Sequence, residues 1–132
     1  ILPGTPQKLF LMAGINDVSH DLSTDSVVTL ITKVIEKIQT ESPRTKLYIQ
    51  SLLPINESFG RYKTMIGKTD LIPEINRKLE ALAKEKKISF IHLFPLFTEK
   101  NSNVMRKELT TDGLHLTEEG YRIWSKALKR YL

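Results

Sequence analysis

Three short apolar runs alternate along this 132-residue chain with stretches whose apolar residues recur at helical spacing. Residues 8–14, 47–53 and 88–94 read as strands buried on both faces, the first ending in Gly14 and the second stopped by Pro54. Between the first two, Ser23 or Thr24 can cap a helix in which Val27, Val28, Leu30, Ile31, Val34, Ile35 and Ile38 trace one face, closed by Pro43. A second helix is expected over residues 71–86, with Pro73 in its first turn and Ile72, Ile75, Leu79, Leu82 and Ala83 facing inward. A third follows Thr117, with Glu118 and Glu119 at its start and Lys126, Lys129 and Arg130 near its end, both favourable to the helix dipole. Strands separated by helices pair in parallel through right-handed crossovers. The expected fold is therefore α/β, one domain over residues 1–132, with a parallel sheet and no internal repeat or linker.

Composition narrows the function. The chain is 40% hydrophobic and 27% charged, and a chain this long buries enough surface to fold without a covalent or metal staple. With no cysteine, disulfide scaffolds, iron–sulfur clusters and cysteine zinc sites are excluded. No apolar run approaches the ~18–20 residues of a membrane span. The net charge of +5 is dispersed, and its densest run, Lys84-Glu85-Lys86-Lys87, closes the second helix, so a nucleic-acid partner is not expected. Neither a His-Glu-x-x-His metal motif nor a glycine-rich phosphate loop occurs, and no metal or cofactor is implied. Asn56-Glu57-Ser58 fits a glycosylation acceptor, a pattern short enough to arise often by chance.

In open α/β sheets ligands bind beyond the carboxyl ends of the strands, and two residue groups fall there. Gly14-Ile15-Asn16-Asp17 follows the first strand; Asn16 would offer an amide that stabilises an oxyanion without titrating, although Gly, Asn and Asp are also ordinary turn residues. Asp112-Gly113-Leu114-His115 precedes the last helix. Asp112 can fold back to accept from His115 Nδ1–H, leaving Nε2 as a base, or the segment is a turn with an exposed histidine. His20 reads as a loop histidine and His92, among apolar residues of the third strand, as structural.

Taken together, Gly14-Ile15-Asn16-Asp17 and Asp112-Gly113-Leu114-His115-Leu116-Thr117, continued by Glu118-Glu119-Gly120-Tyr121, resemble two sequence blocks of the SGNH hydrolases, also called GDSL-like lipases and acylhydrolases. The resemblance implies a three-layer α/β/α flavodoxin-like fold with a five-stranded parallel sheet, and cleavage of small-molecule esters without a metal. It implies Asn16 as oxyanion-hole amide, His115 as base and Asp112 as the acid that orients it. Gly14, Asp17 and Arg61 are expected near the substrate. The loop of residues 55–69, with Phe59, Arg61 and Tyr62, is expected to line the pocket, where Arg61 could meet an anionic group, or it is simply an exposed basic loop.

One departure is severe. The family's nucleophilic serine lies in a Gly-Asp-Ser block upstream, and nothing before Gly14 contains a serine. Asp25-Ser26 is the only Asp-Ser pair, but Thr24 replaces the glycine and the pair falls at a helix start. The expectation is the C-terminal portion of an esterase that lacks its first strand or strands and its serine, inactive alone. A chain folding alone would then self-associate through the edge strand from Lys8 to Ala13. The alternative is a non-catalytic α/β binding or assembly module. Localisation is not legible, since any signal peptide would lie upstream of Ile1.

Overall fold

Alternation of side chains along the middle strand organises the molecule. A computed structural model describes residues 7–12 and 23–132. In it, strands β1 (Lys8–Leu11), β2 (Lys46–Gln50) and β3 (Ser89–Ile91) form a parallel sheet in the order β1-β2-β3. Leu9 stands opposite Leu47, Leu11 opposite Ile49, and Ile49 opposite Phe90. Helices α1 (Thr24–Glu41), α2 (Leu71–Glu85) and α3 (Glu118–Leu128) complete the strand–helix alternation read from the sequence.

Because neighbouring residues of a strand face opposite ways, Leu47 and Ile49 join Leu9 and Leu11 on one face of the sheet. There they pack with Val27, Ile31 and Ile35 of α1 and Ile72, Ile75 and Leu79 of α2. Tyr48, Ile91 and Phe10 point the other way, against Ile123, Trp124 and Ala127 of α3. The Phe10 and Tyr48 rings stack at 4.6 Å, and Trp124 Nε1–H donates to the buried Gln50 Oε1 at 2.7 Å. The described residues thus form a three-layer α/β/α arrangement, with α1 and α2 on one face of the sheet and α3 on the other.

The strands end sooner than their apolar runs. Asn76 of α2, fully inside, accepts from Leu52 N–H at 2.7 Å and donates to Leu52 C=O at 3.1 Å. Ser51 Oγ likewise accepts from Leu93 and Phe94 N–H at 2.9 and 3.0 Å. Side chains thus take over the ladder's role at the carboxyl ends of β2 and β3, and the backbone is free to turn away toward the loops.

Helix boundaries follow the anticipated signals. Ser23 caps α1 by accepting from Ser26 N–H, and Thr117 caps α3 by accepting from Gly120 N–H. Two details differ from expectation. Leu30 and Val34 of α1 are 42% and 43% exposed instead of buried with the rest of their apolar set. At about 100° per residue they lie on the flank away from α2, which meets α1 through Lys78 with Asp25 and Lys86 with Glu36. His92 is exposed just beyond β3, its ring 5.7 Å from that of Phe90, so it holds no place in the core.

Candidate active site

The segment from Thr110 to Leu116 closes into a tight loop before α3. Buried Thr110 accepts from Gly113 N–H at 2.9 Å and donates to His115 C=O at 2.7 Å through the same hydroxyl. Gly113 sits at φ +94°, a backbone region that glycine enters freely and other residues rarely.

Within this loop the two oxygens of Asp112 divide the work. Oδ1 accepts from the backbone N–H groups of Leu114 (2.9 Å) and His115 (2.8 Å), an arrangement that Asp adopts readily in turns. Oδ2 is then left facing the imidazole, with His115 Nδ1 at 2.8 Å. The Asp112 side chain is 20% exposed and that of His115 64%, so the carboxylate is sheltered while the ring stays open to solvent. Burial pushes the Asp112 carboxyl up, but the donors from His115 N–H, the His115 ring, Leu114 N–H and Tyr62 outweigh it and hold the group well below the usual carboxylate range. Asp112 is thus ionised across the neutral range. An ionised acceptor at Nδ1 favours the tautomer with its lone pair on Nε2, the arrangement a general base needs.

A residue fifty positions upstream completes the group. Tyr62 Oη donates to Asp112 Oδ2 at 3.0 Å and lies 3.3 Å from His115 Nδ1. Its bond to the Asp112 carboxylate, with partial burial and that carboxylate's charge, raises the phenol pKa against the opposing effect of Arg61. The Arg61 guanidinium lies over the Tyr62 ring at 5.5 Å.

The loop that carries Tyr62 is tied down at its start. Asn56 N–H donates to Gly113 C=O at 2.8 Å, and the Asn56 side chain donates to Met105 C=O at 2.9 Å. Asn56 is only 3% exposed and its amide nitrogen is turned inward, so the short sugar-acceptor pattern there is structural. Glu57 accepts from Gly67 N–H at 2.6 Å, Thr69 N–H at 3.1 Å and the Thr69 hydroxyl, closing the loop across its base. The Gly67 and Thr69 bonds lower the Glu57 pKa.

Asp112 and His115 are therefore brought together, and Arg61 stands next to them through Tyr62. Gly14, Asn16, Asp17 and His20 lie outside the described residues. Among the described residues, no serine hydroxyl is hydrogen-bonded to His115: Ser51 binds Leu93 and Phe94, and Ser58 donates to Asn56 Oδ1. Asp25 and Ser26 occupy the first turn of α1, Ser26 N–H on the Ser23 cap and Asp25 paired with Lys78. Also among the described residues, no group of three or more His, Cys, Asp or Glu could hold a metal ion, and no helix is long and apolar enough to cross a membrane. The residue missed from sequence is Tyr62 in its role beside Asp112. Its position at the carboxyl side of the sheet was the available signal, and nothing in the spacing pairs it with Asp112.

An α/β/α sandwich with a histidine–carboxylate pair beyond the carboxyl ends of parallel strands has the layout of an SGNH-fold hydrolase domain. The chain belongs to the GDSL-like lipase/acylhydrolase family, whose model matches residues 2–123. Among solved structures it is similar to a protein from Streptococcus pneumonia named for platelet activating factor, at 31% identity and a TM-score of 0.86, over 95% of this chain and 59% of that one. It is also similar to a GDSL-like lipase from Bacteroides thetaiotaomicron, at 26% identity and a TM-score of 0.82, over 96% of this chain and 62% of that one. An acetyl xylan esterase shares the fold at 23% identity and a TM-score of 0.73, over 96% of this chain and 67% of that one. No curated protein matches. The chain spans about three fifths of the length of the first two of these structures.

Proposed function

We propose that this chain supplies the base, its orienting carboxylate and an oxyanion donor to a serine hydrolase of small-molecule esters that needs no cofactor. The observation that carries the reading is the Asp112–His115 pair: Nδ1 at 2.8 Å from a carboxylate whose other oxygen is locked by two backbone donors. Family membership and the likeness to the GDSL-like lipase support it. In this reading His115 Nε2 takes the proton of a serine hydroxyl as its oxygen attacks the ester carbonyl carbon. The Asn16 amide meets the oxyanion, and His115 then gives the proton to the departing alcohol. Water, deprotonated by the same imidazole, then attacks the acyl carbon; the bond to the serine oxygen breaks and that oxygen takes the proton back as the acid leaves.

The serine itself is proposed to come from outside these residues, because the chain lacks the Gly-Asp-Ser block and none of its described serines reaches His115. Alone, the chain is then inactive: without a nucleophile, rates fall by several powers of ten. Gly14, Asp17 and the exposed Arg61 are assigned to the substrate side of the site, Arg61 favouring esters that carry an anionic group.

The test uses the protein with whatever is encoded upstream of Ile1, treated with a serine-directed fluorophosphonate. Labelling of one serine, abolished by His115→Ala, is the expected result. Absence of labelling in that longer protein overturns the hydrolase reading in favour of a non-catalytic module.

A further inference from the structure

We infer that Tyr62 is a positioning residue of the Asp112–His115 pair, sharing the carboxylate oxygen that holds the imidazole and setting how much of that carboxylate's charge the ring feels. The inference rests on the reading of His115 as the base.

Three atoms close a triangle: Asp112 Oδ2 is 2.8 Å from His115 Nδ1 and 3.0 Å from Tyr62 Oη, and Oη is 3.3 Å from Nδ1. A neutral tyrosine has one O–H to give. If that hydrogen went to Nδ1, Nδ1 would be an acceptor, and its lone pair would face a carboxylate oxygen at 2.8 Å with no proton between them. Donating to Oδ2 removes that repulsion and forms the stronger, charge-assisted bond. It also turns a hydroxyl lone pair toward Nδ1–H. Only the Nδ1–H tautomer satisfies all three atoms, and it is the one with Nε2 free.

The same bond acts on the base's proton affinity. Oδ2 serves two donors, so negative charge drawn toward the Tyr62 hydroxyl is unavailable to the ring. An imidazolium beside this carboxylate is stabilised less than it would be beside a carboxylate without Tyr62. Asp112 and Tyr62 are the titratable groups that the described residues place against the ring, with Arg61 behind the Tyr62 face. The position is built: Tyr62 is half-buried beside the core, and its loop is held by Asn56 and Glu57.

The test is the titration of the His115 ring followed by NMR in the protein with whatever is encoded upstream of Ile1, without substrate, which requires no turnover. Tyr62→Phe keeps the packing and removes the hydroxyl; the midpoint of the ring's titration is expected to move to higher pH. With Asp112→Asn already present, the same substitution is expected to shift the titration less. An unmoved titration in Tyr62→Phe, or an equal shift with and without the carboxylate, overturns the inference, since a packing role predicts one or the other. Should Tyr62→Phe lose its native amide dispersion, 3-fluorotyrosine at position 62, a stronger donor, is expected to lower the His115 pKa, and no change overturns the inference. In the serine-bearing protein the acid limb of kcat/KM is expected to move up with Tyr62→Phe in step with the NMR value. Fluorophosphonate labelling decides the hydrolase reading separately, so failure of either idea is visible without the other.

Discussion

Asn56 and Gly113 meet backbone to backbone: Asn56 N–H donates to Gly113 C=O at 2.8 Å, and a Cβ at Gly113 would stand 2.3 Å from the Asn56 carbonyl oxygen. This contact joins the Tyr62 loop to the turn that holds Asp112 and His115. Gly113 is also at φ +94°, so a side chain there is opposed twice, by its own backbone and by a rigid neighbour. Gly113→Ala is expected to lower unfolding stability by about 2 kcal/mol or more. Urea denaturation checks this, and an alanine variant with the parent's midpoint would contradict the contact.

Acid should expose the Asp112 turn. Burial opposes ionisation of this carboxyl, but its four donors prevail, so its folded pKa lies below its unfolded value. The sign follows from linkage: the stabilisation is present above the unfolded pKa of about 4 and is lost as pH falls through the folded one. Glu57, whose pKa the Gly67 and Thr69 bonds lower, acts in the same sense. The melting temperature is expected to drop as pH falls from about 5 to 2. Asp112→Asn should flatten that decline; thermal melts of both proteins across this range showing parallel curves would refute it.

How far these features were readable from sequence depends on whether their partners are local. Asp112 and His115 are three residues apart with glycine between, so one turn decides their meeting and the sequence pattern contains all of it. Helix periodicity placed Ile31, Ile35, Ile75 and Leu79 inside because a sheet face covers a whole stripe. It failed for Leu30 and Val34, since periodicity gives a face but not the width of what covers it. Strand ends were overrun because the apolar runs continue past Gln50 and Ile91. The backbone's actual partners there are Asn76 and Ser51, side chains distant in sequence. Tyr62 was legible only as a loop residue near the site, for the same reason.

Asn76 offers a direct measure of that side-chain substitution for the ladder. It satisfies both the N–H and the C=O of Leu52 inside the core, the two backbone groups at the point where β2 gives way to the loops. Truncating it leaves both without their partner in a place where an unmade hydrogen bond costs about 1–3 kcal/mol. Asn76→Ala is accordingly expected to destabilise the fold by about 2–4 kcal/mol, and amide exchange at Leu52 should accelerate. An unfolding free energy within about 0.5 kcal/mol of the parent, the usual span for surface substitutions, would show that Asn76 is dispensable.

The last prediction concerns the side of the sheet beyond β1. Among the described residues β1 pairs only with β2, which leaves its other edge without a strand. The flank of α1 turned away from α2 carries Leu30 and Val34, both exposed, so α1 adds apolar surface of its own. Unpaired strand edges recruit other chains, and adjoining apolar surface adds to the drive. We therefore expect the 132-residue chain to self-associate at tens of micromolar. Replacing Leu30 and Val34 together with glutamate should weaken that association by about tenfold or more, since burying unpaired charge opposes it. Light scattering coupled to size-exclusion chromatography measures both. A parent chain that runs as a monomer at that concentration would show that this side of the molecule is not adhesive.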